Sequence, residues 1–536
     1  MSVIDRLTRL RASSSAPPLH RAARRRTMRL VPVEVAVAVA IAACVFVVHD
    51  VPYLLRAPYW VDEAWVAAST RVPIGHLLKV TSVSPIGWTF LLRLVPGSGS
   101  QDQRLVPLLF AAATVLAAFA FGRSLRLIPI VTGIFAGGAA LLVPAMLVRD
   151  DLKEYTADAF VALLGLALVS QLEATWSRRR LVTLGGVFVV CALISHVTLL
   201  VAAAALPCVC ASRLARRRKG EFIEAAVVTA ATGALLLIIY LALDGGTRTQ
   251  ALKKYWSAYY IPHGLHSSLT YINGRLNSLL PYFGIHHRSL LIGFVLLGLV
   301  VLASQGRWAA AAFLPALTGE VVVLSAMHRY PLLDERTSTF LIVTSVVIAA
   351  VGVVGVAAWL ARRVTWVVAA ALLAIMATLY IHTALPNVRG HLIPFEDVRA
   401  QEAYVAAHAR PGDVVLVNWG SNWGYAYYAR PRPEVVSAPG IEYALVYPPS
   451  DDIITIVTPG PAAIAPAMSQ ALTRAEEHPG ARLWIVINHE EAGEPGAWDA
   501  VLAPLSYHSV EVAPGGAAGF PLPDRGTFVD YVDTST

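Results

Sequence analysis

Charge is scarce in this chain. Of 536 residues only 15% are Asp, Glu, Lys or Arg, while 56% are hydrophobic. An ordinary soluble domain carries about 25% charged and roughly 45–50% apolar residues. With a mean hydropathy of +0.59, that scarcity excludes a soluble globular protein and predicts a polytopic membrane protein with room for many spans and one further domain. Cysteine is scarcer still. Cys44, Cys191, Cys208 and Cys210 all lie in apolar runs and form no C-x-x-C pair, which argues against both a structural disulfide and a zinc cage. The C-terminal region lacks G-x-G-x-x-G and P-loop patterns, so no nucleotide site is read there. No internal repeat is visible. A cleavable leader is also missing: residues 1–30 are rich in Arg, Ser and Pro without apolar character and read as a disordered cytoplasmic arm.

What is present is a series of apolar runs. Lengths near 20 residues define about eleven spans, at 31–49, 105–122, 128–148, 158–174, 182–195, 197–212, 222–243, 289–304, 308–327, 338–358 and 364–384. The net charge of +8 does not point to nucleic acid, because the arginines stand beside these runs as topology signals. Arg24–Arg26, Arg123 with Arg126, Arg178–Arg180, Arg213 with Arg216–Lys219, Arg307, and Arg362–Arg363 all fall on one side if the N-terminus is cytoplasmic. The opposite, outer side then receives the loop 50–104, the segments 149–158, 244–288 and 328–336, and everything after residue 384. Within the first outer loop, Ser84–Pro96 is apolar but too short to span and reads as an interfacial helix. The aromatic-rich stretch 253–282 suits a headgroup region. The expected organisation is an arm at 1–30, a transmembrane catalytic domain at 31–384 and an extracytoplasmic α/β domain at 385–536. In that last part, helices at 401–409, 423–429 and 462–477 alternate with apolar strands at 413–418 and 482–488, a pattern that predicts a small, partly parallel sheet.

Four polar clusters share the outer face. The first is Asp62-Glu63, set among Tyr59, Trp60 and Trp65. The others are Arg149 to Asp158, with Lys153, Glu154 and Tyr155; Ser195-His196; and His328 to Arg336, with Tyr330 and Pro331. Taken singly, each has a bland reading: a solvated acidic pair, a polar cap on two spans, an interfacial histidine, a turn. Ionisable residues at span ends are costly unless used or paired, and four such clusters on one face call for a joint use. Carboxylates beside several cations suit chemistry on a phosphate-bearing lipid. The cations would hold the phosphate and a carboxylate would activate the nucleophile.

These residues resemble the motifs of the GT-C superfamily of membrane glycosyltransferases, in the branch that contains protein O-mannosyltransferases and bacterial lipid A aminoarabinose transferases. Asp62-Glu63 is similar to the family's acidic pair. Ser84-Pro85-Ile86-Gly87-Trp88 with Arg104 resembles the segment that opens the second span. Lys153-Glu154-Tyr155 with Asp158 is similar to a basic-x-Tyr signature, with Lys153 where the family often has Arg. Ser195-His196 resembles a Ser/Thr-His step, and Tyr330-Pro331 with Arg336 a Tyr-Pro…Arg motif. The resemblance implies inverting transfer of a sugar from a polyprenyl-phosphate donor to an envelope glycan, lipid or protein, on the outer face of the plasma (inner) membrane. It implies Asp62 as base, with Glu63 assisting by hydrogen bonding or by holding a divalent metal, so the cofactor stays open. Lys153, Arg336, Arg149 and Tyr155 become candidates for the donor phosphate, and Asp158, His196, Arg104 and Tyr330 for substrate contacts. Mannose and arabinofuranose are the sugars considered. Two rival readings remain, a lipid or sugar transporter or flippase and a non-catalytic envelope scaffold. A catalytic site requires Asp62, Lys153 and Arg336 to converge on one outward cavity with a lateral opening to lipid, whereas a scaffold would leave them scattered.

Overall fold

The computed structural model describes residues 32–77, 84–95, 102–146, 152–244, 255–388, 397–429, 434–436, 445–447, 452–513 and 527–534. The arm at 1–30 and Arg149 lie outside the described residues.

The chain is a polytopic α-helical membrane protein with a small α/β unit at its C-terminal end. In chain order the helices of eight or more residues are α1 Pro32–Ala43, α2 Val61–Ser69, α3 Ile86–Arg93, α4 Leu105–Arg123, α5 Pro129–Leu141, α6 Tyr155–Ala174, α7 Arg178–Cys191, α8 Thr198–Ala215, α9 Lys219–Ile239, α10 Leu265–Ser278, α11 Arg288–Ser304, α12 Trp308–Ala326, α13 Thr339–Arg363, α14 Trp366–Val388, α15 Val398–His408, α16 Asn422–Ala429, α17 Ile464–Glu476 and α18 Glu494–Leu502. A helix stands at each of the eleven predicted spans. Among the described residues seven stretches are long and apolar enough to cross a bilayer unaided, while Pro32–Val48, Pro129–Leu141 and Arg288–Ser304 are apolar but shorter. Local chemistry sets several ends. Pro129 opens α5, where its missing N–H is no loss. The Ser177 hydroxyl caps α7 by accepting from the Arg180 amide at 3.2 Å.

Helix α13 is the central post, largely buried along its 25 residues. Where α11 crosses it, both helices present glycine: a Cβ on Gly298 would lie 2.1 Å from the Ile348 carbonyl oxygen, and one on Gly352 would lie 2.4 Å from that of Phe294. Bare backbone contact of this kind lets apolar helices pack closely without a hydrophobic driving force. By contrast α9 and α14 are mostly exposed, as expected of helices facing lipid. An apolar cleft of about 260 Å³ is walled by residues of α5, α11, α13 and α14, and none of the charged clusters lines it.

The predicted interfacial helix is α3. The aromatic-rich stretch after residue 253, read from sequence only as a loop, contains α10. Beyond residue 397 the strands are β1 Val414–Val417, β2 Glu434–Val436, β3 Leu445–Tyr447, β4 Ile453–Thr455, β5 Arg482–Val486, β6 Tyr507–Ala513 and β7 Thr527–Asp533. They form a five-stranded sheet of order β4-β1-β5-β7-β6 and a separate β2–β3 pair. β1 runs parallel to both β4 and β5, with Val414 opposite Leu483, and β7 is antiparallel to β5 and β6. Alternate β1 residues serve two cores. Val414 and Leu416 pack with α17 and α18, while Val415 and Val417 pack with α15 and Tyr425 of α16. A third apolar cluster ties this unit to the bundle, joining Trp423 and Tyr427 of α16 to Tyr59, Trp60, Ala64 and Trp88.

Candidate active site

The acidic pair lies in the first turn of α2. Neighbours on a helix diverge by about 100°, so adjacent carboxylates cannot share a direction. Glu63 turns inward and is almost completely buried. Its Oε1 and Oε2 accept from Arg104 Nε and Nη2 at 2.8 and 2.5 Å. Arg104, fully buried, also donates to the carbonyls of Leu54, Ala57 and Pro58. The Glu63–Arg104 pair therefore pins the chain entering α2 to the start of α4. Asp62 faces the other way, its side chain 20% exposed.

Lys153 and Arg336 both reach Asp62, and both bind the same oxygen. Lys153 Nζ is 3.1 Å from Oδ2, and Arg336 Nη1 donates to Oδ2 at 2.7 Å. Among the described residues no partner is found for Oδ1. Burial favours the neutral acid, but the two cations outweigh it and hold the Asp62 carboxyl well below the usual carboxylate range, with His489 adding to the same effect.

Each cation is placed by its own local structure. Lys153 precedes α6, and the neighbouring Leu152 carbonyl accepts from the Trp88 indole of α3 at 2.5 Å. Arg336 lies in the turn between α12 and α13. There Asp334 Oδ2 accepts from the backbone N–H groups of Arg336 and Thr337 at 3.2 and 3.0 Å, an Asx-type arrangement that fixes the loop. Tyr330 braces the same turn by donating to the Thr337 carbonyl at 2.8 Å. Arg336 Nη2 donates to the Tyr255 hydroxyl at 2.9 Å, and the guanidinium lies over the Trp256 ring.

A second polar group follows directly along α6. The Ser195 hydroxyl donates to buried Asp158 at 2.5 Å, and His196 Nδ1 lies 3.5 Å from Glu154 Oε1. Tyr155, half-buried, opens α6 between the two groups. The structure thus brings Asp62, Lys153 and Arg336 into direct contact. Glu63 with Arg104 lies behind Asp62, and Asp158, His196 and Tyr330 form a supporting layer. Among the described residues, no group of three or more His, Cys, Asp or Glu side chains is arranged to hold a metal ion, and Glu63, the carboxylate considered for that role, is already engaged by Arg104.

Sequence reading missed two contributors. Tyr255 is one of several aromatics in the stretch 253–282, and nothing in the sequence singles it out. His489, which follows β5, packs against Trp60 with ring centroids 6.2 Å apart and is close enough to act electrostatically on Asp62. Its only sequence signal is indirect, the run Trp419, Trp423, Tyr425, Tyr427 and Tyr428, which is unusually aromatic for a small α/β unit.

No family model matches the chain, and no curated protein matches it. Solved structures do. ArnT from Cupriavidus metallidurans in the apo state matches with a TM-score of 0.53 and 14% identity, over 92% of this chain and 97% of that one. The same protein bound to undecaprenyl phosphate matches with a TM-score of 0.53 and 13% identity, over the same shares. At these identities the likeness establishes the architecture alone: the chain has the fold seen in ArnT.

Proposed function

We propose that this protein is a membrane glycosyltransferase that moves a sugar from a polyprenyl-phosphate donor to a hydroxyl acceptor, with inversion, at the extracytoplasmic face of the plasma membrane. The observation that carries the reading is the convergence of Lys153 and Arg336 on one oxygen of Asp62. Three segments 91 and 274 residues apart in sequence meet there. The ArnT structure that holds undecaprenyl phosphate supports a carrier lipid as the occupant. The one-sided arginines, expected on the cytoplasmic side, support the face.

In the resting site the two cations are satisfied by Asp62, which makes it a weak base. A donor phosphodiester brings a competing anion. As Lys153 and Arg336 turn to the phosphate, Asp62 loses their stabilisation and its basicity rises. The donor thereby activates the base. Asp62 then takes the proton of the acceptor hydroxyl as its oxygen attacks the anomeric carbon from the face opposite the phosphate. The bond between anomeric carbon and phosphate oxygen breaks, and the polyprenyl phosphate leaves with one more negative charge, which Lys153 and Arg336 stabilise. Oδ1 of Asp62 is the oxygen available to the acceptor hydroxyl. Arg149, if it joins the phosphate ligands, would act beside Lys153.

Purified protein incubated with labelled polyprenyl-phosphate mannose and polyprenyl-phosphate arabinofuranose tests the donor. Transfer or slow hydrolysis of one of them is expected, and inertness toward both would defeat the reading. Labelling of Ser14→Cys and Glu477→Cys with an impermeant reagent in intact cells tests the face, with only the latter expected to react.

A further inference from the structure

The apolar cleft among α5, α11, α13 and α14 has walls that narrow its occupant. Of its lining side chains only Tyr380 carries a nitrogen or oxygen. That hydroxyl already donates to the carbonyls of Ala139 and Phe283, at 3.4 and 3.3 Å. A sugar or any other hydrogen-bonding ligand would enter without partners and lose its hydration. The cleft also opens sideways. Ile134 of α5 and Ile381 of α14 line it while 38% and 45% exposed. Both belong to the membrane-spanning bundle, whose surroundings at that depth are hydrocarbon.

Small residues keep the cleft open beneath a fixed upper end. Gly138, Ala139, Ala349, Ala350 and Ala377 all stand in its walls. Among the described residues, a Cβ on Gly138 would meet nothing within 4 Å. Above them α14 is anchored. The Thr383 hydroxyl donates to the Gly284 carbonyl at 2.6 Å. Gly284, with φ 68°, lies so close that a Cβ there would sit 2.7 Å from that of Ala384. This joint fixes the spacing of α14, and the space below it is left unfilled.

Depth and width point to a lipid tail. Ile285, just before α11, lines the cleft at the end of the bundle where the α/β unit docks. Val353 lines it fourteen residues into α13, about 21 Å deeper than the start of that helix by the helical rise. In a hydrocarbon core about 30 Å thick, the cleft therefore spans one leaflet and reaches the midplane. A helix with its side chains is about 10–12 Å across, too wide for a cleft of about 260 Å³ shared among four helices. A single hydrocarbon chain has the right width.

The mouth supplies charge. Ile285 is followed by His286, His287 and Arg288 at the opening of α11. Among the described residues Arg288 has an amide partner, Asn273, and no carboxylate. A cation at the membrane surface without a counter-ion favours an anionic headgroup. The four-residue helix Leu280–Phe283 rests on α13, α14 and the Pro144–Met146 turn, and no side chain of the Asp62 centre lines the cleft. Its cation is thus not one of the pair that meets Asp62.

We propose that this cleft binds one acyl chain of an anionic phospholipid of the outer leaflet, with the chain laid against Gly138 and Tyr380 and the phosphate on Arg288. The lipid completes the packing of α14, the last span before the α/β unit. It is a different molecule from the sugar donor, and the glycosyltransferase reading enters only in naming the leaflet.

The test titrates purified full-length protein in detergent with dioleoylphosphatidylglycerol or dioleoylphosphatidylcholine, and native mass spectrometry counts the lipids bound. One phosphatidylglycerol should bind about fivefold more tightly than phosphatidylcholine, the value of one cation beside an anionic headgroup, and should raise the melting temperature. Gly138→Leu puts a side chain into the cleft. It should weaken phosphatidylglycerol binding about tenfold or more and abolish the lipid-dependent rise in melting temperature. It should still fold, because the new Cβ has open space and glycine is a poor helix former. Gly138→Ala gives the same helical gain with little filling and should keep binding within about twofold of wild type. Arg288→Gln should remove the preference between the two lipids. Undecaprenyl phosphate affinity should stay within about twofold of wild type in all three variants. Phosphatidylglycerol binding that Gly138→Leu leaves intact overturns the proposal. So does a tenfold loss of undecaprenyl phosphate affinity in Gly138→Leu, which would assign the cleft to the carrier tail, or a change in oligomeric state, which would assign it to a second copy of the chain. Specific phospholipid binding by a protein inert toward every sugar donor would leave the cleft assignment standing and remove the transferase reading instead.

Discussion

Helix α6 carries a buried charge cluster at each end, about 30 Å apart by its 20 residues, and the two are built differently. At the C-terminal end, Glu173 is completely buried. Its Oε2 accepts from the Ala309 and Ala310 amides at 3.0 and 3.2 Å, and its Oε1 accepts from Ser212 at 2.7 Å. Nearby, Arg307 donates to the carbonyls of Ser170 and Ser124 at 2.7 and 3.3 Å. Glu173 caps the start of α12 and also pairs with Arg216 at 3.6 Å, and Arg307 ties α12 to α6 and α4 through backbone carbonyls. At the N-terminal end, Asp62, Lys153 and Arg336 hold one another by side chains alone. The Glu173 side chain is 0% exposed, whereas that of Asp62 is 20% exposed, so an incoming anion can reach Lys153 and Arg336 but not the amides that Glu173 caps. Access from outside therefore distinguishes the site from the joint.

The comparison can be broken by substitution at either end. The largest effect is expected at Asp62. Asp62→Asn keeps the volume but not the base, so transfer should fall about 10²–10⁴-fold in saturating donor and acceptor, with folding and membrane insertion unchanged. Near wild-type turnover would sink the assignment of the base. Glu173→Ala should do the reverse. It strands two amides and leaves buried charge nearby without its counterpart, at a cost of about 3–5 kcal/mol in stability, while transfer per folded molecule stays close to wild type. Thermal denaturation and activity normalised to folded protein separate the two outcomes.

A smaller effect is expected for the cations. Lys153→Ala and Arg336→Ala should each lower undecaprenyl phosphate affinity by about 10–150-fold, the equivalent of about 1.5–3 kcal/mol for a charge-assisted contact. Arg336→Ala should also move the acid limb of kcat/KM upward. In the wild type the Asp62 carboxyl is held below the usual range, so the base persists as pH falls through the ordinary carboxylate value near 3.9. With Arg336 removed, the limb should shift toward that value. The same sign governs stability: the Asp62 pairing contributes fully above the ordinary carboxylate pKa and is lost as pH falls through the lowered one. The smallest effect concerns Tyr255→Phe. It removes one hydrogen bond to Arg336 and should reduce donor affinity about threefold to tenfold.

The helices of the bundle were legible in the sequence because apolar length is the requirement for crossing a bilayer, and β1 and β5 because both are continuous apolar runs. β6 and β7 were not read: β6 is largely exposed, β7 is buried only at intervals, and a Gly- and Pro-rich stretch separates them, so neither presents an apolar block. The charged trio was legible as a set of residues, through the shared face and the resemblance. Its geometry was not. Nothing in Asp62-Glu63 as a dipeptide shows that one carboxylate is locked to Arg104 and the other faces Lys153 and Arg336, because that depends on the helical phase of α2. His489 was illegible for a plainer reason. Its relation to Asp62 exists only once a sheet more than 350 residues downstream docks on α2.

The Glu63–Arg104 pair has a consequence for how the protein is made. Chains are synthesised from the N-terminus, and segments take up structure as they emerge. Only 41 residues separate Glu63 from Arg104, so this joint can close as soon as the second span is in the bilayer, and the arginine need not enter alone. Asp62 acquires Lys153 after that, Arg336 only near the end of the bundle, and His489 last of all. An unfinished or truncated chain would thus carry a correctly braced α2 and no working centre. Ribosome-bound intermediates would lack the assembled Asp62, Lys153 and Arg336 centre until the bundle is nearly complete.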